Sequence, residues 1–329
     1  MKNSIAIIGA GIAGITLARA LVPSAQVTIF EKSRGLGGRM ANRRREGFAF
    51  DHGAQYFTAR SPVFKAAAEQ AVSEGHAGIW PKAVHTLKAD GLLADTRPPE
   101  PRYIGYPGMS GFANGLAAGL DIRKEATVAQ LVASDNAWAL SDNEGNDLGR
   151  FDLVISTAPA PQTIKLMPET FSGRAALETV EMSGCFTLMI GLNEPLNLGF
   201  DAARIDGPIL SWIAVEASKP GRSGKTALTI HSRNDWAEAN LERDREAVKA
   251  ELLAALRRLL GEDFSNATWL DLHRWRYANV EKPVGQPFLF DDALGLGACG
   301  DWCLGNRVEA AVESATALSK MLITRLQGA

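Results

Sequence analysis

The sequence predicts an α/β protein in which a parallel-sheet domain is interrupted by an inserted α+β unit with an antiparallel sheet. Three observations support this fold class. The chain opens with a buried strand, a glycine-containing loop and a helix over residues 4–21. Between residues 163 and 285, short segments with strand-like alternation predominate. From about Asp291 the chain returns to an apolar strand, a loop of small residues and a last helix.

Composition restricts the class of protein. The chain has 329 residues, which favours two domains or one domain with a large insertion. A hydrophobic fraction of 46%, 22% charged residues and a net charge of −2 are typical of a globular protein and give no support to nucleic-acid or membrane-surface binding. No apolar stretch reaches about 18–20 residues without a charge, so we expect no transmembrane helix. The short basic run at residues 43–45 indicates a solvated turn.

Cysteine usage points to a reducing compartment. Cys185, Cys299 and Cys303 are too few and too irregularly spaced for a disulfide framework or a zinc site. We therefore predict no bound metal and a cytoplasmic location. The apolar start of the chain is not read as a secretion signal, because Arg19 interrupts it and its glycines are regularly placed.

The first elements indicate a parallel sheet. Residues 4–9 predict a strand, residues 11–21 a helix and residues 26–30 a second strand, an order that implies a right-handed crossover. Ser61 followed by Pro62 is a helix start, and this helix is expected to run to about Glu74. Another helix is predicted to begin near Ser110.

The pattern changes after residue 124. Three short strands up to residue 156 predict an antiparallel meander, the third of which returns to the central sheet. Four strand-like segments follow in the middle of the chain, "CFTLMIGL", "ILSWIAVEA", "TALTIHS" and "WLDLHRWRYA", and residues 234–260 are predicted to form one long amphipathic helix. The last helix is predicted over residues 308–326, with an apolar face made of Val308, Ala311, Ala315, Leu318 and Leu322.

The first glycine loop predicts a dinucleotide site of the Rossmann type. Gly9, Gly11 and Gly14 form G-x-G-x-x-G between a strand and a helix, which permits a tight turn, close approach of a pyrophosphate and close helix packing. Glu31 ends the next strand, where its carboxylate can accept hydrogen bonds from a ribose diol. The loop alone does not distinguish NAD from FAD.

The segment "EKSRGLGGRMANRR" makes that distinction. Its Gly37, Gly38 and Arg39 can bring backbone amides and a guanidinium against the pyrophosphate and the flavin beyond it. With the first loop, Glu31 and "FDHGAQYF" at residues 50–57, the sequence resembles the flavin-containing amine oxidase superfamily, which includes phytoene desaturases and protoporphyrinogen oxidases. The resemblance is specific at both ends of the chain and thin in the middle.

The resemblance implies a domain division and a set of cofactor contacts. It implies an FAD-binding domain of the glutathione-reductase and amine-oxidase type over residues 1–60, 106–162 and 286–329, and a substrate domain over residues 61–105 and 163–285. The residues expected to contact FAD lie on the two glycine segments, the adjoining loops and the last helix: Gly9, Gly11, Ala13, Gly14, Glu31, Lys32, Gly38, Arg39, Met40, Gln55, Tyr56, Val128, Asp301, Arg307 and Val308.

The same resemblance gives a role to the late loop "GACGDWCLGNRVEAAVES". Asp301 is expected to bond the ribityl or pyrophosphate side of FAD. The amides near Arg307 and Val308 are expected to aim the positive end of the last helix at flavin N1 and O2, where negative charge develops on reduction. Nothing near Cys303 activates its thiol, so FAD is expected to be bound non-covalently.

The sequence resembles the renalase family, particularly its bacterial members, in its modest length and in two segments, "HGAQYF" at residues 52–57 and "HRWRYA" at residues 273–278. That resemblance implies oxidation of dihydronicotinamide dinucleotides with hydride at the wrong ring position, giving NAD(P)+ and, with O2, hydrogen peroxide. The expected partners are therefore a dinucleotide and O2, and we expect a monomer. The predicted catalytic or positioning residues are Gln55, Tyr56, His231, Trp275, Arg276 and Arg307. The pattern leaves open whether His231, Trp212 and Trp275 line the pocket or the core.

Two alternatives remain at this level. The first is a flavin amine oxidase or desaturase acting on a small amine or apolar substrate. Against it, Arg307 aligns where amine oxidases carry a cage tyrosine, and the chain has only four tyrosines. Lys282, a possible counterpart of the lysine that amine oxidases hold near flavin N5, is interpreted as a solvated linker residue. The second alternative is a non-catalytic binding protein with the same fold.

Overall fold

The computed structural model describes residues 3–88, 93–96, 100–222 and 224–328. Eight α-helices are assigned within this part of the chain: α1 Ile12–Leu21, α2 Pro62–Ser73, α3 Ser110–Leu116, α4 Ala160–Leu166, α5 Arg174–Glu178, α6 Asn234–Asn240, α7 Arg245–Leu260 and α8 Val308–Gln327. None of the helices described is long and apolar enough to cross a membrane.

The strands fall into two large sheets and three small ones. In chain order they are β1 Ser4–Ile8, β2 Gln26–Glu31, β3 Arg43–Arg45, β4 Phe48–Phe50, β5 Ala77–Ile79, β6 Val84–Lys88, β7 Leu93–Thr96, β8 Tyr103–Gly105, β9 Asp121–Lys124, β10 Gln130–Ser134, β11 Ala137–Ser141, β12 Asp147–Phe151, β13 Leu153–Ser156, β14 Glu181–Leu192, β15 Ala202–Asp206, β16 Leu210–Val215, β17 Thr226–Ser232, β18 Trp269–Lys282, β19 Leu289–Asp291 and β20 Leu296–Ala298.

The first large sheet is the predicted parallel one. Its order is β19-β20-β13-β1-β2-β9, and every pair except β19–β20 is parallel. Ile5 and Ile7 on β1 share a core with Ile15 on α1 and Leu318 on α8. The strands β13 and β20 come from the middle and the end of the chain. Residues far apart in sequence therefore complete the sheet that starts with β1, the strand before the first glycine loop.

The second large sheet is built from the middle of the chain in the order β18-β14-β17-β16-β15-β6-β7. It is antiparallel except for the parallel pair β15–β6. One face, including Leu188 and Ile230, packs against Leu252 and Leu256 of α7. The predicted α/β class with an inserted α+β unit is confirmed.

The predicted single helix over residues 234–260 is wrong, because α6 and α7 are separate helices. The carboxylate of Asp244 accepts a hydrogen bond from the Ala247 N–H at 2.9 Å and so caps the start of α7. The apolar pattern continues across the break, so periodicity alone did not reveal it.

Three smaller predictions also change. The third strand of the meander is two strands, of which β12 stays in the three-stranded antiparallel sheet and β13 joins the parallel sheet. Residues 43–45 form β3, paired with β4, rather than a solvated turn. Lys282 ends β18 rather than lying in a linker, and its exposed Nζ lies 3.7 Å from Glu181.

Residues 61–105, which lie between β2 and β9 in the chain, contribute to the core of one large sheet and to the strands of the other. Phe64 and Ala68 of α2 belong to the core of the parallel sheet, whereas β6 and β7 extend the seven-stranded sheet. The predicted domain boundaries stay a prediction.

Candidate functional site

The first glycine loop leaves open space at the start of α1. Gly9 has a φ of +108°, which favours glycine, and a Cβ on Gly14 would lie 2.0 Å from the Gly9 carbonyl oxygen. A Cβ on Gly11 would meet nothing within 4 Å. Gly14 is therefore required by packing, whereas the absence of a side chain at Gly11 leaves room for a ligand.

The second glycine segment lies directly beside the first. Gly11 forms an isolated parallel bridge with Gly37, and a Cβ on Gly38 would lie 3.5 Å from the Gly11 Cα. Gly37 and Gly38 have φ values of +98° and +54°. The two segments therefore lie side by side at the open space above α1, where the Gly37 N–H donates to the Ala10 carbonyl at 2.9 Å.

Glu31 is buried at the carboxyl end of β2. One carboxylate oxygen accepts from the Ala10 N–H and the other from the Ser33 N–H, both at 2.8 Å. These bonds hold the carboxylate against the glycine loop. Of the neighbouring predicted residues, Ala13, Met40 and Val128 are buried and Lys32 is exposed.

Arg39 and Asp301 form a bidentate ion pair. Arg39 donates from Nη1 and Nη2 to the two carboxylate oxygens of Asp301 at 2.8 and 2.5 Å, and Nη1 also donates to the Ala278 carbonyl at 3.2 Å. The sequence predicts each residue as a cofactor contact but not their pairing. The pair connects the early glycine segment to the late loop and to β18.

The last helix, α8, starts shortly after Asp301, at the end of the late loop. Arg307 is its N-terminal cap position, in an extended conformation, with a side chain 47% exposed. Glu309 is buried and accepts from the backbone N–H groups of Arg60 and Ser61 at 2.8 and 2.6 Å, while its other oxygen lies 3.9 Å from Arg307. No capping side chain is assigned to α8 or to α1, so both helix starts offer free backbone donors to a ligand.

Gln55 and Tyr56 lie where the two large units meet. The Gln55 Oε1 accepts from Trp212 Nε1 and from Lys219 Nζ, both at 3.1 Å. Its Nε2 donates to the Asp51 and Gly53 carbonyls and lies 3.5 Å from His231 Nε2. Tyr56 accepts from Arg204 at 3.1 Å and packs between the rings of Trp80 and Trp212.

A cluster of aromatic rings lines the same region. His52 stacks on Trp275 with ring centroids 5.2 Å apart, and His273 lies edge-on to both rings. Burial, followed by the neighbouring His273 and Arg43, lowers the pKa of His52 to about 3. Burial and Arg43 lower the pKa of His273 to about 4. These imidazoles are therefore neutral at physiological pH, and the sequence analysis did not single out His52 or His273.

Arg276 does not join this cluster. Successive side chains alternate across a strand, so Arg276 lies on the face of β18 opposite Trp275. There it forms an ion pair with Glu242, and Arg274 also approaches this carboxylate, at 3.8 Å. Trp275 and His231 are half-buried, whereas Trp212 is buried, with its indole N–H bonded to Gln55.

Sequence reasoning missed four buried charged residues next to Gln55. Asp51, Glu216, Lys219 and Arg222 contact one another at the junction of the two units. The one sequence signal for this group is the spacing of Glu216 and Lys219, which are three residues apart and can form an ion pair. That spacing is also common between exposed residues, so it does not predict burial.

Two protein-family models match the chain. Residues 7–71 match the model of an NAD(P)-binding Rossmann-like domain. Residues 66–316 match the model of the flavin-containing amine oxidoreductases, which spans most of the chain. The chain belongs to the flavin-containing amine oxidoreductase family. It is a flavoprotein oxidoreductase, and its cofactor is FAD.

Two sequence relatives are similar to the chain over very different lengths. Renalase from Mus musculus is 23% identical over 356 aligned residues, which cover 97% of this chain and 98% of that protein. A 4,4'-diapophytoene desaturase (4,4'-diaponeurosporene-forming) from Staphylococcus haemolyticus is 48% identical, but over 50 residues that cover 15% of this chain and 10% of that enzyme. The similarity to renalase therefore extends over nearly the whole chain, whereas the similarity to the desaturase is confined to a short segment.

Solved structures of other proteins share the fold. A protein from Exiguobacterium sp. 255-15 assigned as a protoporphyrinogen oxidase matches with a TM-score of 0.78 at 14% identity, over 99% of both chains. Wild-type putrescine oxidase bound to putrescine matches with a TM-score of 0.71 at 12% identity, over 99% of this chain and 100% of that chain. At these identities the likeness establishes the fold alone.

The described residues fit FAD. The space beside Gly11 suits a pyrophosphate, because it is open and adjoins the uncapped start of α1 and the paired glycine segment at Gly37. Glu31, held by two backbone N–H groups, retains free lone pairs for a ribose diol. None of the described residues forms a group of three or more side chains able to hold a metal ion.

Proposed function

We propose that this protein is an FAD-dependent oxidase of isomeric dihydronicotinamide dinucleotides. In the proposed reaction, 2- or 6-dihydro-NAD(P) loses a hydride and becomes NAD(P)+. The electrons pass to O2, which takes up the hydride equivalent and one proton to give hydrogen peroxide. Bound FAD supplies the two-electron acceptor between these two reactants.

The observation that carries the proposal is Arg307 at the cap position of the last helix. Its side chain is 47% exposed, and the sequence pattern predicts that it stands where amine oxidases carry a tyrosine. A cation there favours a ligand with phosphate groups over one with an ammonium group. The end-to-end similarity to renalase supports the same choice.

The surrounding side chains suit a neutral aromatic substrate ring. The cluster of His52, His273 and Trp275 offers flat, uncharged surfaces beside Gly53, whose Cβ position lies 3.4 Å from the Trp275 ring. Hydride loss from a dihydropyridine restores aromaticity and needs no strong base, so the protein's task is to position the donor carbon. Gln55, Tyr56, His231 and Trp275 are the proposed positioning residues.

FAD is proposed to be held without a covalent bond. The proposed contacts are the glycine segments, Glu31, Arg39 and the start of α8. Cys303, which lies with Asp301 on the short turn of the late loop, is buried, and burial raises the pKa of its thiol to about 12. A thiol that stays protonated is a poor nucleophile.

The direct test is anaerobic stopped-flow spectroscopy of the flavin band. The protein is mixed in turn with the 2- and 6-dihydro isomers of NAD, with ordinary NADH and with a panel of primary amines. Rapid bleaching by the isomers alone, with release of NAD+, is the expected result. Bleaching by amines alone would overturn the proposal, as would a protein that neither contains flavin nor takes up FAD.

A charge-removing variant examines the role of Arg307. Arg307→Gln is expected to lower kcat/KM for the dihydro isomers about tenfold, or about 1.4 kcal/mol, through loss of attraction to phosphate. Arg258→Gln, on the exposed side of α7, is the matched control and is expected to leave kcat/KM unchanged. An equal effect of both substitutions would indicate a general change in net charge.

One observation favours oxidation of a small amine as a second candidate. The carboxylate of Glu309 is buried beside Arg307 and partly offsets its charge. A buried carboxylate near the helix start can pair with an ammonium group. The amine arm of the same stopped-flow experiment decides between the two substrates.

A further inference from the structure

Lys219 has a fully buried ammonium group at the junction of the two units. Its Nζ donates to Asp51 at 3.2 Å, to Gln55 Oε1 at 3.1 Å and to both oxygens of Glu216 at 3.1 and 3.2 Å. It also lies 5.6 Å from the centre of the Trp80 ring. All of the donors on this lysine are therefore directed at protein groups, one of which is the proposed positioning residue Gln55.

The buried charges around Lys219 are balanced. Asp51 also receives the guanidinium of Arg222, and Glu216 receives the Thr229 hydroxyl at 2.6 Å. The two cations hold the pKa of Asp51 below its usual value, although burial acts in the opposite direction. A buried group of two carboxylates and two cations is retained here at a desolvation cost that a hydrophobic core would avoid.

The contacts of Gln55 show what this arrangement achieves. A glutamine amide has two nearly isosteric orientations, which differ in where the oxygen and the nitrogen lie. Here Lys219 and Trp212, which only donate, face Oε1, while the carbonyls of Asp51 and Gly53 face Nε2. We propose that Lys219 is a positioning residue, which fixes the carboxamide of Gln55 with Oε1 inward and Nε2 turned toward His231.

The same ammonium acts on His231. Burial, followed by the charge of Lys219, lowers the pKa of His231 to about 4, against a weaker opposing effect of a hydrogen bond from the His231 ring to the backbone of His52. The groups that approach the ring are the Gln55 amide, the backbone of His52 and the cross-strand residues Thr187 and Trp212. Lys219 is the charged group among these influences, so the ring stays neutral while Gln55 Nε2, whose two N–H groups donate to the Asp51 and Gly53 carbonyls, lies 3.5 Å from it.

This inference rests on the proposed function only where it links Gln55 to substrate; the orientation of Gln55 and the titration of His231 do not depend on it. The test compares Glu216→Gln with the double variant Glu216→Gln/Lys219→Met, both saturated with FAD. Removing one anion and one cation together leaves the Asp51–Arg222 pair intact, so the double variant retains charge balance.

Three measurements separate positioning from a structural role. In the double variant the His231 imidazole, followed by NMR, is expected to titrate above the midpoint found in Glu216→Gln, shifted from about 4 toward 6.5. A crystal structure is expected to show the Gln55 amide reoriented or disordered. The rate of flavin reduction is expected to fall by about 10- to 100-fold with little change in FAD affinity, since misplacement near a reacting centre has effects of this size.

An unchanged His231 midpoint together with an unchanged Gln55 amide would overturn the proposal and leave Lys219 as a structural counter-ion. If the double variant does not fold, Trp212→Phe removes the other donor to Oε1 without altering the buried charges. Lys219 is then expected to keep the amide in place, and a flipped amide in that variant would also contradict the proposal. A normal His231 shift in a protein that no dihydronicotinamide reduces would overturn the proposed substrate instead.

Discussion

Arg39 places both of its terminal nitrogens against the carboxylate of Asp301, 262 positions later in the chain. The Arg39 side chain is 31% exposed and that of Asp301 is 8% exposed, so the pair is only partly screened by water. Because Arg39 follows the second glycine segment and Asp301 opens the late loop, this single ion pair joins the two ends of the cofactor site.

Removing Arg39 is expected to weaken both folding and FAD binding. Arg39→Met leaves the Asp301 carboxylate without its guanidinium, and we expect a loss of about 2 kcal/mol in the free energy of unfolding. Urea unfolding and FAD titration measure the two effects. Arg325→Met, which removes the pair with Asp292, is the control and is expected to cost less than about 1 kcal/mol, because the Asp292 carboxylate is 79% exposed. Equal losses for the two variants would contradict a special role for the Arg39 pair.

Gly11 is expected to matter for the ligand and not for the fold. Gly11→Ala has no clash within 4 Å and an ordinary φ of −72°, so thermal stability without FAD is expected to be unchanged. The added methyl group occupies the space proposed for the pyrophosphate, so FAD affinity is expected to fall at least about tenfold, or about 1.4 kcal/mol. Gly35→Ala, equally free of contacts, is the control for both measurements. Full FAD affinity in Gly11→Ala would place the pyrophosphate elsewhere.

The neutral histidines predict an acid-sensitive fold. His52 has a pKa of about 3 in the folded protein, against 6.5 as its ordinary value. Protons therefore bind the unfolded state preferentially, so this stabilisation is complete above pH 6.5 and is lost as the pH falls toward 3. The contribution is about 1.4 kcal/mol per pH unit. His52→Gln is expected to reduce the slope of the free energy of unfolding against pH by about 1.4 kcal/mol per pH unit between pH 6.5 and about pH 3. Urea unfolding at constant, saturating FAD measures this slope.

His273 provides the comparison for that measurement. Its pKa of about 4 confines its contribution to the range between pH 6.5 and about pH 4, so His273→Gln is expected to flatten the same curve over a narrower range. A wild-type slope retained in both variants would show that neither imidazole is held neutral.

The flavin is expected to leave the protein on denaturation. Burial raises the pKa of both Cys303 and Cys185 to about 12, so neither thiol is activated for attack on the flavin ring. After acid precipitation the yellow colour is expected entirely in the supernatant, and Cys303→Ser is expected to retain FAD as well as Cys185→Ser does. Colour in the pellet that disappears with Cys303→Ser would establish a covalent link.

Local sequence patterns predicted the parts of the site that depend on neighbouring residues. Gly9 and Gly14 are needed for a tight turn and close packing, requirements that arise within one strand–loop–helix unit. Glu31 follows one strand later, at the spacing expected for a carboxylate beside the loop. The same reasoning failed at Asp244, because a helix cap can interrupt an apolar pattern without changing its period.

The sequence by itself determined the α/β class with its inserted unit, the glycine loops and the character of the cofactor. These depend on backbone conformation and hydrophobic period, which are local properties of the chain. Only the tertiary structure decided that Arg39 binds Asp301 and that Lys219 reaches Gln55 from 164 positions away. It also placed Arg276 on the face of β18 opposite Trp275. Such pairings are set by how the two sheets pack against each other, and residues far apart in sequence carry no local mark of the partner that they meet.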